Sequence, residues 1–426
     1  MTATDVLAEP IGAPEPEPPR RDLTPRQWVR ANLFSSPLNS VLTVVIGLGT
    51  AYVVYRLARW AFVTAEWAVV QVNLRLFMVG FFPVDQLWRL WVALYVLVAT
   101  CGLAAGALAE ASRRVADGDE EPAPRPSLPR RVLAALHRFW PAVVCVAVIL
   151  GFTRTPGPTV GTVGLVVVGA LAGAAGRRVP RPLQRWAWVL PIAGLVAALQ
   201  VIVAGEDGVG WDRWGGLHLA VAATIAGVGL AFPLGLLLAL GRRSSLRALR
   251  LVSIAYIEAF RAVPLVTLLF LGGYMVGYLF PNTVEPPSFL VRAVIAITLF
   301  EAAYIAEIVR GGLQAVPRGQ YEAAQALGLS PVGVMRLVVL PQALRAVIPA
   351  MVGQFISLFK DTSLLTIIGF LELIEVTRIV TQQDAFRGQG LRPIALAFVG
   401  LIYWAGCSTM SRESQRLERR LGVGER

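Results

Sequence analysis

The sequence predicts an all-α, polytopic transmembrane protein of about ten spans. Three observations predict it. Of 426 residues, 56% are hydrophobic and only 15% charged, with a mean hydropathy of +0.62. A soluble chain of this length could not cover itself with so few polar side chains. Apolar runs close to the 20 residues that cross hydrocarbon as a helix recur along the chain. Finally, every second connection between them is rich in arginine, the pattern that positive charge retained on the cytoplasmic side produces.

The candidate spans lie near 40–62, 88–110, 139–154, 158–176, 187–204, 216–241, 252–280, 289–311, 344–368 and 392–410. The third and fourth are short. "RRDLTPRQWVR", "PSLPRRVLAALHR", "GRRVPRPLQR", "GRRSSLRALR" and the final "SRESQRLERRLGVGER" fall on one side, so both termini are expected in the cytoplasm. "GEDGVGWDRWGG" and "FPNTVEPPS" fall on the other. Residues 1–38 open with Pro and Glu at a density that cannot bury a core and read as a disordered cytoplasmic arm, with an interfacial piece at "TPRQWVRANLF". The first apolar run follows this arm and reads as a retained span rather than a cleaved signal.

The net charge of +12 sits beside apolar runs and sets orientation, so nucleic acid is not an expected partner, whereas membrane lipid is. Cys101, Cys145 and Cys407 lie inside apolar runs and read as small packing residues. His137 and His218 have no partner at metal-ligand spacing, so no metal site is expected. No nucleophile–base constellation suggests a catalytic residue. Lys360 is the only lysine and lies within a span, so no phosphate loop of the Gly-Lys-Ser/Thr type can be built. If the protein pumps, ATP and Mg are handled by a partner chain.

A seam falls near residue 206. Before it, 39–206 forms accessory spans nearly free of charge, with small-xxx-small pairs at Gly102/Gly106 and Gly169/Gly173 that permit close helix approach. After it, polar residues enter the spans. Residues 207–412 are therefore expected to carry the function, and 413–426 to be a cytoplasmic tail.

Residues 319–341, "GQYEAAQALGLSPVGVMRLVVLP", read as helix, break, helix, stop. Glu322, Ala323 and Ala324 open a helix-forming run. Gly328 suits the left-handed backbone at a helix end. Ser330 can cap a second helix with Pro331 in its first turn, and Pro341 is expected to end or kink the next element. Such a loop is either an ordinary amphipathic surface helix or a stiff device that passes a partner's movement to the spans.

The wording of this stretch resembles the EAA motif of ABC-importer permeases, with Val338 where Ile is usual. The resemblance implies that Gln320, Glu322, Ala323, Ala324, Gly328, Leu340 and Pro341, within a cytoplasmic loop 313–343, dock into the cleft of an ABC ATPase subunit. "IEAFRAVPLVTLLF", "AAYIAEIVRGGLQAVPRGQYEAAQALGL" and "FKDTSLLTIIG" resemble the polar amino-acid branch, and "WDRWGGLHLAVAATIAGVGLAFPLGLLLALGRRSS" the general L-amino-acid type. This implies a type I permease core of five or six helices in 207–412. It also implies a bacterial inner membrane, a second and related permease chain, an extracytoplasmic solute-binding protein and an amino-acid substrate.

Ionisable residues in spans are costly and default to a functional reading. Glu258 and Arg261, three apart, can neutralise each other, and Pro264 is expected to kink the helix. They form either a structural pair near the cytoplasmic interface or a gate. Glu301, Tyr304 and Glu307 recur at three-residue steps; Glu307 suits pairing with Arg310, while Glu301 is expected to face the pathway and favour cationic amino acids. Lys360, Asp361, Thr362 and Ser363 form the densest polar cluster in any span, either lining a pathway or satisfying a helix break. A secondary transporter driven by a proton or sodium gradient is the competing class, but no internal repeat supports it.

Overall fold

The computed structural model describes residues 24–117, 128–153, 155–205, 208–281 and 283–420, and Gly422. The first 23 residues of the arm and most of 421–426 lie outside the described residues. All regular structure among the described residues is helical. The chain divides into two compact units, Met1–Glu66 and Trp67–Arg426.

In the first unit, "TPRQWVRANLF" forms a helix, α1 (Pro25–Leu33). Ser36 caps α2 (Pro37–Arg59) by accepting from the Asn39 amide at 3.1 Å, and Pro37 sits in its first turn, where a missing N–H costs nothing. A π-helical turn continues α2 to Thr64, giving 28 helical residues, long enough to span.

The second unit begins with two short helices that hydropathy does not reveal, α3 (Ala68–Val72) and α4 (Leu74–Val79). There follow α5 (Leu87–Asp117), α6 (Leu128–Arg138), α7 (Trp140–Gly151), α8 (Gly157–Gly176), α9 (Arg181–Gln184) and α10 (Val189–Val203). Then come α11 (Gly216–Arg242), α12 (Arg247–Ala262), α13 (Leu265–Phe270), α14 (Phe289–Ala315), α15 (Arg318–Ala326) and α16 (Pro331–Gly333). The last three are α17 (Leu340–Asp361), α18 (Leu373–Gln382) and α19 (Arg392–Arg420). Each apolar run expected to span is helical. Among the described residues, seven helices are long and apolar enough to cross a membrane, and α7 and α10 are shorter apolar helices.

One expected span is corrected. The run 252–280 is not a single helix, because α12 and the helix from Leu265 to Leu279 meet at an angle of 105°. Pro264 lies at the corner. Its ring excludes the residue before it from helical geometry, and Val263 is extended.

The glycine pairs of the accessory region prove structural. A side-chain carbon on Gly102 would meet Ala172 and the Gly169 carbonyl at 3.0 Å, and one on Gly106 would run into the Gly173 carbonyl. Bare backbone on both helices thus lets α5 and α8 touch. The same device recurs beyond residue 206, where Gly235 abuts Ala302 and Ile305, and Gly312 abuts Ala343 and Val347. One hydrophobic core joins both sides of residue 206, with Leu90, Ala93, Ala198 and Ile202 packed with Leu219, Ile297, Leu358 and Leu365. Of the cysteines, Cys145 is buried as expected, whereas Cys101 is exposed and Cys407 half-buried. His218 packs between Trp214 and Phe82, at 4.6 and 5.9 Å between ring centres.

Gly106→Ala should therefore cost about 1–3 kcal/mol through overpacking, read as a lower unfolding temperature in detergent. Gly47→Ala, which has nothing within 4 Å, serves as the neutral control; equal behaviour of the two would refute the close-packing account.

Candidate functional site

The elbow between α14 and α17 is built as its residues suggest. α15 carries Gln320, Glu322, Ala323 and Ala324, and ends at Leu327. Gly328 follows with φ of +78°, a left-handed conformation that only glycine adopts without strain. Its amide and that of Leu329 bond back to the carbonyls of Gln325 and Ala324, closing the helix end. Ser330 then caps α16 by accepting from the Gly333 amide at 3.2 Å, with Pro331 in the first turn.

Pro341 departs from expectation. It neither ends nor kinks the next element. Val334–Val339 forms a π-helical stretch, and helix continues through Leu340 and Pro341 into α17. The wider turn and the position at the start of α17 accommodate the missing N–H.

Three side-chain contacts stiffen the elbow. Gln342 of α17 donates to Gln320 at 3.1 Å. Arg243, just past α11, reaches the Tyr321 hydroxyl at 3.2 Å and the Leu313 carbonyl at 3.3 Å. Of the motif residues, Ala324 is buried while Gln320, Glu322, Ala323 and Gly328 are exposed. Leu327 beside them is 83% exposed and Val332 74%. The outer face of the elbow thus mixes small and apolar residues with Gln320 and Glu322, and no other part of this chain covers it.

Beside Arg243 lies an ionic cluster. The Glu307 carboxylate on α14 accepts from Arg310 at 2.8 Å and Arg242 at 2.9 Å, and stands 3.7 Å from Arg261. Arg242 also reaches Glu258 at 3.2 Å. The expected Glu307–Arg310 pair is present. Glu258 and Arg261 do not pair with each other, because α11 and α14 bring each a partner from another helix. Arg261 also lies over the Tyr304 ring at 5.7 Å. One carboxylate thereby joins α11, α12 and α14 at the end that carries α15.

Deeper in the bundle, Glu301 is only 1% exposed. Gln354 of α17 donates to one of its oxygens at 2.9 Å, and the other has no polar partner. Glu301 is enclosed between α14 and α17 rather than placed on an open face. The Lys360–Ser363 cluster marks the change from α17 to a 3₁₀ helix, Thr362–Ile368. Thr362 is fully buried and donates to the Phe359 carbonyl at 2.8 Å, which satisfies the break locally. Lys360 is exposed, and Asp361 and Ser363 are half-buried.

The structure adds residues that sequence reasoning passed over. Arg242 and Arg243 had been read only as orientation charge. Gln354 is an isolated amide in an apolar span. Glu372 is fully buried, accepts from the Ile374 amide at 2.9 Å and takes a hydrogen bond from the Tyr403 hydroxyl. Only the pairing reveals them, since none stands in a recognisable motif.

Comparison with known families matches residues 231–423 to the binding-protein-dependent transport system inner membrane component. A glutamate/glutamine/aspartate/asparagine transport system permease protein of Rhodobacter capsulatus is 34% identical, over 99% of both chains. An inner membrane amino-acid ABC transporter permease protein of Escherichia coli is 34% identical over 93% of both. A general L-amino acid transport system permease protein of Rhizobium johnstonii is 42% identical, over 31% of this chain and 29% of its own. The chain belongs to the inner-membrane components of binding-protein-dependent transport systems, in their polar amino-acid branch, and is a multi-pass inner-membrane protein.

Glu307→Gln should cost far more stability than Glu258→Gln. Glu307 is 16% exposed and holds three guanidinium groups, whereas Glu258 is 58% exposed and holds one. Removing a partner from this half-buried cluster costs part of the about 3–5 kcal/mol lost from a fully buried pair, against roughly 0–1 for a surface pair. Thermal unfolding of both variants in the same detergent checks the order.

Proposed function

We propose that this chain forms half of an amino-acid pathway and takes its work from a separate ATPase that docks on α15. The observation that carries the reading is the elbow. Its exposed face is held by backbone caps and by contacts to α11, α14 and α17, so a push on α15 is delivered to those helices instead of being absorbed. Gln320, Glu322, Ala323, Ala324 and Gly328 are the docking residues, with Leu340 and Pro341 at the joint to α17. ATP and Mg belong to the partner, which supplies phosphoryl chemistry this chain cannot perform. With α15 in the cytoplasm, both termini are cytoplasmic.

A single permease chain encloses only part of a path, so a second, related permease completes it, and an extracytoplasmic solute-binding protein delivers the solute. The amino-acid substrate is supported by the names of the relatives and by the ionisable groups placed within the spans. Glu258, Arg261 and Pro264 sit where a moving α12 hinges against α13. Tyr304 packs on Arg261 and would sense the same movement. Lys360, Asp361 and Ser363 stand at the break after α17, beside the proposed path, while Thr362 and Glu301 are enclosed within the bundle.

The deciding experiment is amino-acid uptake and ATPase activity in vesicles holding this chain with its candidate partners. Uptake should require ATP and the ATPase; uptake by this chain alone under a proton or sodium gradient would overturn the proposal. Gly328→Val should leave the protein inserted while uncoupling ATP hydrolysis from uptake. Left-handed backbone costs a branched residue about 1–2 kcal/mol or more, and no neighbouring atom lies within 4 Å to add a clash. Glu322→Arg should act in the same way through the docking face.

A further inference from the structure

Phe359 of α17 packs on Gly406 of α19, while Ile356, one turn nearer α15, shares a groove with Ser411 and Gln415. α19 therefore runs antiparallel to α17, and its last turns lie at the end of the bundle that carries α15. The edge of the membrane at that end is marked by α6 and α7. Arg138 ends α6, and Trp140 opens the apolar helix α7 two residues later. A charged-to-apolar step with a tryptophan at it is the signature of the level where headgroups meet hydrocarbon. α19 is tied to this level. Glu413 accepts from Arg138 at 2.9 Å, Arg412 lies over the Trp140 ring at 4.8 Å, and Trp404 packs on the same ring with centres 5.5 Å apart. Trp404 and Ser408 thus stand on the hydrocarbon side of the edge, and Gln415 and Arg419 on the headgroup side.

The groove between α17 and α19 crosses that edge. It encloses about 640 Å³, and Ile356, Ser408, Ser411, Arg412, Arg416 and Arg419 are among its walls. Its two halves differ in chemistry. On the hydrocarbon side, Val143, Val144 and Val146 of α7 and Trp404 of α19 are exposed, so an uncovered apolar wall borders it. On the headgroup side, positive charge is in excess. Glu413 is shared by Arg138 and by Arg416, the latter at 2.7 Å, and Glu418 is engaged by the Ser414 hydroxyl at 2.7 Å. Arg419 donates to the Gln415 carbonyl of its own helix at 3.3 Å. Among the described residues neither Arg412 nor Arg419 has a carboxylate partner. They lie seven residues apart, about 10 Å along the helix, and the Ser408 and Ser411 hydroxyls add uncharged donors just above them.

We propose that this groove binds an anionic phospholipid, whose phosphate lies against Arg412 and Arg419 with the Ser411 hydroxyl beside it, and whose acyl chains lie along α7. A guanidinium presents a fork of donors that matches phosphate oxygens, and the contact is charge-assisted. Basic pockets between membrane helices on the cytoplasmic side suit anionic headgroups for this reason. A zwitterionic lipid carries the same phosphate, but it also brings an ammonium group into a field that is already positive. A free phosphate, or an acidic segment of a partner protein, would use the arginines and leave the apolar wall bare. An amphiphile with a negative head satisfies both halves of the groove at the depth where each stands.

The test is lipid binding by the purified full chain in a nonionic detergent, read by native mass spectrometry and independently by lipid-dependent thermal stabilisation. The probes are a phosphatidylglycerol, a phosphatidylcholine with the same acyl chains, and soluble glycerol phosphate. Phosphatidylglycerol should bind about tenfold more tightly than phosphatidylcholine, the worth of one charge-assisted contact, and glycerol phosphate should not displace it. Joint Arg412→Gln and Arg419→Gln should remove that preference. Arg419→Gln alone, whose side chain bonds only within its own helix among the described residues, should weaken it about threefold. Joint Arg412→Lys and Arg419→Lys keeps the charge and should retain most of it. Joint Arg178→Gln and Arg181→Gln, which takes equal charge from the exposed connection between α8 and α10, should leave it unchanged. Equal binding of the two lipids, a preference that survives the Arg412/Arg419 glutamine pair, or an equal loss in the Arg178/Arg181 pair overturns the proposal. So does displacement by glycerol phosphate, which would give the groove to a free phosphate, or release of the lipid when an ABC ATPase is added, which would give it to that partner.

Discussion

Glu307 is the anion that allows three guanidinium groups from three helices to meet at one point. Arg242, Arg261 and Arg310 would otherwise repel one another at the ends of α11, α12 and α14. Arg243 is the next residue after Arg242 and holds Tyr321 of α15. The knot and the elbow are thus adjacent parts of one mechanical piece, with a single residue step of α11 between them.

Above the knot the bundle is organised by the absence of side chains. Gly235 against Ala302 and Gly312 against Ala343 bring α11, α14 and α17 to backbone contact, and Gly106 against Gly173 does the same for α5 and α8. In lipid there is no hydrophobic gain from joining apolar helices, so close van der Waals contact must hold them. Three backbone irregularities fall where the chain must turn or yield: the corner at Pro264, the π-helical stretch before Pro341, and the 3₁₀ turn after Asp361. Each lies next to residues with a proposed role in transport, which fits the rule that departures from regular helix inside a membrane protein line cavities or joints.

Much of this was legible in the amino-acid order. Gly328 and Ser330 announce their own geometry, because a left-handed cap and a serine N-cap are local events needing no distant partner. Glu307 and Arg310 are three apart on one helix and were paired correctly for the same reason. Glu258 and Arg261 share that spacing and are not paired, since Arg242 and Glu307 arrive from other helices and outcompete a neighbour on the same one. Glu301 shows the limit most clearly: its position within a span was plain, but whether it faces a path or the inside of the bundle depends on where α17 places Gln354. The fully buried Glu372 was invisible because its partner Tyr403 lies 31 residues away on another helix.

Composition, the length of the apolar runs and the alternation of arginine were enough to establish a helical membrane protein and the segments that cross, since lipid admits only backbone that satisfies its own hydrogen bonds. The caps of the elbow at Gly328 and Ser330 were equally determined, because such turns act over a few residues. Which charges meet, which are enclosed and which remain open was decided only when the helices packed. Such pairings depend on distances between segments far apart in the chain, and no local pattern encodes them.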